Sequence, residues 1–288
     1  MRVASKTVYD MVKFDLARIN EELNKASRIV TTGKRITDLS DDPVKLSEAL
    51  NIKSVLLNLE QLGRNINMGR SWLAASESAL SQVQDLISDT KALCVQMANG
   101  IINAEQRAAA AEAVQNTLDD IVSLANTVVN GEYVFAGWKT DTVAFDEDGT
   151  YHGDNHAFAI KIGNDTTVEV GSDGEAVFGA LFTTVSDLKD ALEGNDVGGI
   201  IAAMTNLDSD FDHITTKISG IGSKMIHMET RENIFQDYTI NSTERLSKIE
   251  DADMAAAILE LQSRQVVFQA ALASSAMVMK LSLVDFLI

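Results

Sequence analysis

Apolar residues at alternating steps of three and four mark both ends of this chain. The N-terminal series runs Tyr9, Val12, Leu16, Ile19, Leu23, Ala26 and Val30. A looser version closes the chain at Met254, Ile258, Leu261, Phe268, Leu272, Met279 and Phe286. A sustained period of about 3.5 residues is what a helix needs to bury one stripe against another helix. Two such helices at opposite termini describe a chain that leaves from one end and returns to it. That is the plan of an assembly subunit rather than of an enzyme.

The middle carries the same signal over greater lengths. Ser40-Asp-Asp42-Pro43 is a helix start, with Asp42 as the cap and Pro43 where a missing amide costs nothing. From there the seam runs Ile52, Val55, Leu59, Leu62, Ile66, Gly69, Leu73, Ser76, Leu80, Val83, Ile87, Thr90, Cys94, Met97 and Ile101, twelve of the fifteen apolar. This predicts a helix of about 55 residues, or about 80 Å, ending near Gly100. A third helix is expected over 104–129. Helical period returns at Met204 and continues through Leu207, Phe211, Ile214, Ile218, Ile221, Met225, Met228 and Phe235 to Ile249. Gly33 is placed to close the first helix, because glycine takes the left-handed conformation freely. A single proline in 288 residues fits long uninterrupted helices.

Between Lys139 and Gly199 the texture changes. Phe158, Ile160 and Ile162 alternate, as do Val168 and Val170, and glycines punctuate the stretch. This reads as a small β-rich domain inserted between helices. The expected fold is therefore mainly α: a long antiparallel helical rod built by the N- and C-terminal halves, with a small β-rich insertion. The expected parts are a terminal helix over 1–41, an outgoing half over 42–137, the β-rich outer domain over 138–199, a returning half over 200–247 and a second terminal helix over 248–288.

Charge narrows the partners. The chain holds 24 basic and 42 acidic residues, a net charge of −18, and residues 140–198 alone hold 13 acidic side chains and two lysines. Nucleic acid and anionic membrane surfaces are poor partners for such a chain. No signal peptide or membrane span is read from the sequence, since Gln269, Ser274, Ser275, Lys280, Ser282 and Asp285 interrupt the most apolar stretch.

Few residues suggest chemistry. His152-Gly-Asp154-Asn-His156 has metal-ligand types at close spacing but no third histidine nearby, and Asp146-Glu-Asp-Gly149 holds only part of a calcium loop. Cys94 falls on the helical seam, where a buried core thiol is the default. Trp72 and Trp138 read as packing residues. No cofactor and no metal site is expected, and no catalytic residue is assigned.

Residues 29–43, Ile-Val-Thr-Thr-Gly33-Lys-Arg-Ile-Thr-Asp-Leu-Ser-Asp41-Asp42-Pro43, resemble the N-terminal signature of bacterial flagellins and hook-associated proteins. Ile249-Glu-Asp-Ala-Asp253-Met-Ala-Ala-Ala and the amphipathic helix after it resemble their C-terminal signature. Three details are similar to the hook-associated members of that superfamily. These are the Asp-Asp-Pro ending, the Asn130-Gly-Glu-Tyr133-Val-Phe135-Ala-Gly137-Trp stretch with Tyr151-His-Gly-Asp after it, and Ser282-Leu-Val-Asp-Phe-Leu. Ala136 departs from the pattern, which more often has glycine there.

The resemblance implies a non-enzymatic structural adaptor between flagellar hook and filament, lying outside the cell and exported without a cleaved signal. It implies a hook-side hook-associated protein, filament-side flagellin and further copies of the chain as partners, and an export chaperone at the C-terminal helix. The seam residues of both terminal helices become the expected assembly interface. A flagellin or an intracellular coiled-coil scaffold are the alternative readings. Because a single exposed helix pair buries too little to offset its ordering entropy, residues 1–40 and 250–288 are expected to be mobile in the free monomer.

Overall fold

The computed structural model describes residues 2–38, 40–163 and 165–287, with side chains at 6–7, 9–38, 40–163 and 165–277. In chain order it contains α1 (Arg2–Thr32), α2 (Pro43–Met97), α3 (Ala104–Ala125), β1 (Val128–Val129), β2 (Glu132–Tyr133), β3 (Ala159–Lys161), β4 (Thr167–Glu169), α4 (Glu175–Glu193), α5 (Val197–Glu250) and α6 (Met254–Leu287). Two compact units share α2 and α5. A terminal unit comprises residues 1–57 and 238–288, and a central unit comprises residues 58–237.

The helix boundaries follow from local chemistry. Gly33 has φ of 68° and its amide donates to Ile29 O at 2.9 Å, which closes α1. The Asp42 carboxylate accepts from Lys45 N at 3.0 Å and caps α2, whose first residue is Pro43. At α3 the Asn103 side chain and the Gln106 side chain satisfy each other's backbone amides, a reciprocal cap.

In the central unit α2 and α5 run antiparallel, since Lys91 meets Asp208, Gln84 meets Thr215 and Arg70 meets Glu232. Every expected seam position of α2 from Leu62 to Met97 is buried. Ser76 and Thr90 lie on that seam without penalty, because their hydroxyls donate to Trp72 O and Leu86 O one turn back. At Gly69 a side chain would collide with Ile160 and Met228, so glycine lets the β3–β4 hairpin and α5 approach α2. Val55 and Ile101, also expected on the seam, are exposed.

Two expectations change. The third helix stops at Ala125, not at 129, because Asn130 (φ 54°) and Gly131 (φ 88°) form the turn of a β1–β2 hairpin that draws Val128 and Val129 out of the helix. The segment 138–199 is also poorer in strand than its alternation implied. It holds one antiparallel pair, with Ile160 opposite Val168, and then the 19-residue helix α4. Phe178, Leu181, Phe182, Val185, Leu188 and Leu192 give α4 a helical stripe, buried with α3 and α5 residues in one core. The alternating run upstream and the acidic composition masked that stripe.

Candidate assembly surface

In the terminal unit α1 packs along α6. The Gly33 carbonyl accepts from Ala252 N at 2.9 Å near the start of α6, while Glu22, well before Gly33 on α1, meets Arg264, well after Ala252 on α6. The pair is therefore antiparallel. Asp253 starts α6 by accepting from Ala255 N at 2.9 Å and Ala256 N at 3.2 Å.

One stripe of each helix is partly covered. On α1 it includes Val12, Leu16, Ile19, Leu23 and Val30, with Ala26 buried, as the spacing predicts. On α6 it includes Ala257, Leu261, Arg264, Phe268, Ala271 and Ser275. Leu261 and Phe268 were expected there, whereas Met254, Ile258 and Leu272 face outward. The reason is that α6 carries apolar residues around much of its circumference, so spacing alone does not select the covered stripe. Small residues at 257 and 271 are on the covered side. Tyr9, the first position of the α1 seam, is also exposed at 55%. The side chains of Met279 and Phe286 lie outside the described residues.

Many apolar residues remain uncovered beside the polar ones. Tyr9, Met11 and Phe14 on α1 and Met254, Ile258, Leu259, Val266, Val267, Leu272 and Met277 on α6 are all exposed. Single exposed apolar residues are ordinary; this many on two paired helices make the pair a candidate interaction surface.

Beside this surface the two linkers are clasped together. Arg35 N donates to Glu250 O at 2.6 Å, alongside the bond from Ala252 N to Gly33 O. The Glu250 carboxylate is buried and receives Lys34 Nζ at 2.8 Å and Lys53 Nζ on a second oxygen. Burial works against its charge, but the hydrogen bonds from Lys34 and Lys53 prevail and its pKa lies below the ordinary glutamate value. The Lys34 pKa is raised, chiefly by the same hydrogen bond. Asp41 accepts from Lys25 Nζ at 2.6 Å and from the Thr37 and Asp38 amides at 3.2 Å, which lowers its pKa to about 2. Glu250, Lys34 and Lys53 escaped the sequence reading, because a charged residue among other charged residues carries no sign of burial.

The other motif residues belong to the central unit. Phe135 is buried edge-on against Phe178, with ring centroids 4.9 Å apart. Tyr133 is in β2, and its amide donates to Thr140 O at 2.7 Å. Gly137 has φ of 71° and lies against Asp154, whose carboxylate accepts from Trp138 N at 2.9 Å and His156 N at 3.0 Å. Tyr151 donates its hydroxyl to Asp154 O at 2.8 Å. The stretches 130–138 and 151–154 thus form one folded element, and their shared role is structural. Trp72 is fully buried, whereas Trp138 is largely exposed.

The histidines diverge: His152 Nε2 pairs with Asp146 at 3.1 Å and the His156 ring packs on Trp138. Among the described residues no group of three or more His, Cys, Asp or Glu is placed to hold a metal ion, and no helix is long and apolar enough to cross a membrane. Cys94 is buried, and desolvation pushes its thiol pKa up to about 11.

A clasped helical pair that leaves many apolar side chains uncovered, beside a separately packed central unit, is the class of architecture found in structural subunits. Comparison with known proteins gives that class a family. The model of the bacterial flagellin N-terminal helical region matches residues 6–140, and that of the C-terminal helical region matches residues 204–287. The chain belongs to the bacterial flagellin family. It is 26% identical over 299 aligned residues to flagellar hook-associated protein 3 of Salmonella typhimurium, covering 94% of each chain. A flagellin of Listeria innocua is 25% identical and covers 88% of this chain and 87% of its own. The crystal structure of Bacillus cereus FlgL superposes with a TM-score of 0.62 at 25% identity, covering 68% of this chain and 99% of the other.

Proposed function

We infer that this chain is a structural adaptor at the hook–filament junction of the bacterial flagellum. The observation that carries this is the likeness to hook-associated protein 3, which spans 94% of both chains and so reaches into both terminal helices. The exposed apolar residues of α1 and α6 supply the physical means. Each copy offers apolar surface that a neighbouring helix pair can cover, at roughly 25 cal/mol per Å² buried. Hook-side hook-associated protein on one side, filament-side flagellin on the other and sibling copies laterally are the neighbours that this role requires. The exposed face of α6 is also where an export chaperone would hold the chain before assembly, and the working location is outside the cell.

A flagellin reading draws on the Listeria match. The two separate in one experiment: incubate the purified chain under conditions that polymerise flagellin, alone and with isolated hooks, and image the products. An adaptor forms no long filaments alone, adds to hook ends and permits flagellin to grow from them. Long filaments of the chain alone would make it a filament subunit.

A further inference from the structure

Among the described residues, one buried side-chain oxygen has no hydrogen-bond partner: Oδ2 of Asp210. Leu207, Asp210 and Ile214 follow at helical spacing on the buried side of α5, and Asp210 is 8% exposed. An ionised carboxylate only accepts hydrogen bonds, so out of water it needs several donors.

Its surroundings offer few. From α4 the Thr184 hydroxyl lies within hydrogen-bond reach of the carboxyl, but it has one proton, which it gives to Ala180 O at 3.0 Å. In that arrangement Thr184 is placed to accept a proton from a neutral Asp210, not to donate one to the ionised form. His213, one turn further along α5, is exposed, and its Nε2 donates to Ala176 O of α4 at 2.9 Å. It favours the ionised carboxylate only when it is itself protonated. From α2, Lys91 reaches this stretch of α5 but is paired with Asp208. Desolvation outweighs the help that Thr184 and His213 can give, and the Asp210 pKa is raised above the ordinary aspartate value.

We propose that Asp210 is a pH-sensitive switch in the α4–α5 contact: protonated, it joins the two helices through Thr184, and ionised, it loosens them. For an acid held above its unfolded value, the stabilisation is complete below that value, about pH 4, and is lost as pH rises through the folded one. The contact therefore tightens in mild acid and relaxes towards neutrality. This is opposite in sense to Glu250 and Asp41, whose pKa values are lowered.

The test is urea unfolding of the full chain from about pH 4 to about pH 8, followed by tryptophan fluorescence, for the original chain and Asp210→Asn. Asparagine keeps the shape, stays neutral and can donate to Thr184. The folded-to-unfolded ratio of the variant should match the original at about pH 4 and exceed it about fivefold or more at about pH 8, where the unsatisfied buried carboxylate is at its most costly. Hydrogen exchange across residues 175–193 should diverge in the same way, and His213→Gln should leave the divergence in place. A difference that stays constant with pH, or one that His213→Gln abolishes, overturns the inference. Should Asp210→Asn fail to fold, Thr184→Val tests the same contact by removing the acceptor of the Asp210 proton. It should lose stability at about pH 4 and not at about pH 8, and equal losses at both would overturn the inference.

Discussion

Glu250, the last residue of α5, receives the Lys34 ammonium at 2.8 Å across a sequence separation of 216 residues, with Lys53 on its other oxygen. The glutamate side chain is 3% exposed, whereas the lysines are 44% and 38% exposed. The clasp is therefore asymmetric. Replacing both lysines by Met strands a buried carboxylate and should cost about 3 kcal/mol, while Glu250→Gln lets the lysines return to water and should cost about 1 kcal/mol. Hydrogen exchange at the amide of Ala252, which bonds to Gly33 O, reads the difference. Equal effects would show that burial of Glu250 contributes nothing.

The same carboxylate sets a pH dependence. Its folded pKa is depressed, as is that of Asp41, which lies at about 2. For a depressed carboxylate the stabilisation is complete above the unfolded value and is lost as pH falls through the folded one. The linkers should therefore hold at neutral pH and loosen progressively below about pH 4. Asp41→Asn should flatten the lower part of that profile. Limited proteolysis between residues 33 and 42 as pH is lowered is the measurement.

The covered stripe of α6 and its exposed apolar residues should respond differently to substitution. Ile258→Asp with Leu272→Asp changes exposed positions, so monomer stability should move by no more than about 0.5 kcal/mol while addition of the chain to hook ends is abolished. Phe268→Ala, on the covered stripe, should weaken α1–α6 packing in the monomer by about 2 kcal/mol, less than the loss at a fully buried site. Limited proteolysis of the monomer and sedimentation of the assembled form separate the two. Rapid loss of both termini from the unaltered monomer would also show that α1 and α6 become ordered only on assembly.

Arg107 is buried with no carboxylate partner. Its Nε donates to Met97 O at 2.9 Å and one Nη donates to Asn99 O at 3.1 Å, capping the end of α2, while the other Nη donates to Asn195 Oδ1. A lysine cannot reproduce that fork, so Arg107→Lys should cost about 2 kcal/mol. Urea unfolding followed by the fluorescence of buried Trp72, with Trp138→Phe removing the exposed indole, checks it.

Cys94 should be inert in the folded chain, since its thiol is buried and its pKa is pushed to about 11. Iodoacetamide at pH 8 should label it at least about a hundredfold more slowly in buffer than in urea. Comparable rates would mean that α2 opens readily around residue 94.

Local grammar was legible in the residue order alone. Gly33 ends α1, Asp42 and Pro43 start α2, and the α2 seam from Leu62 to Met97 is buried throughout, because capping and periodicity depend on neighbours a few positions away. The charge asymmetry is likewise written in the composition. Other features depend on residues far apart in sequence. Only the folded chain selects the covered stripe of α6, since that helix offers apolar residues on several faces. Only it buries Glu250, whose two partners come from the opposite end of the chain, and only it brings Asp154 under Trp138. The helix α4 was hidden for a related reason: its apolar stripe acquires meaning once α3 and α5 supply a core to bury it, and burial is a property of the assembled fold.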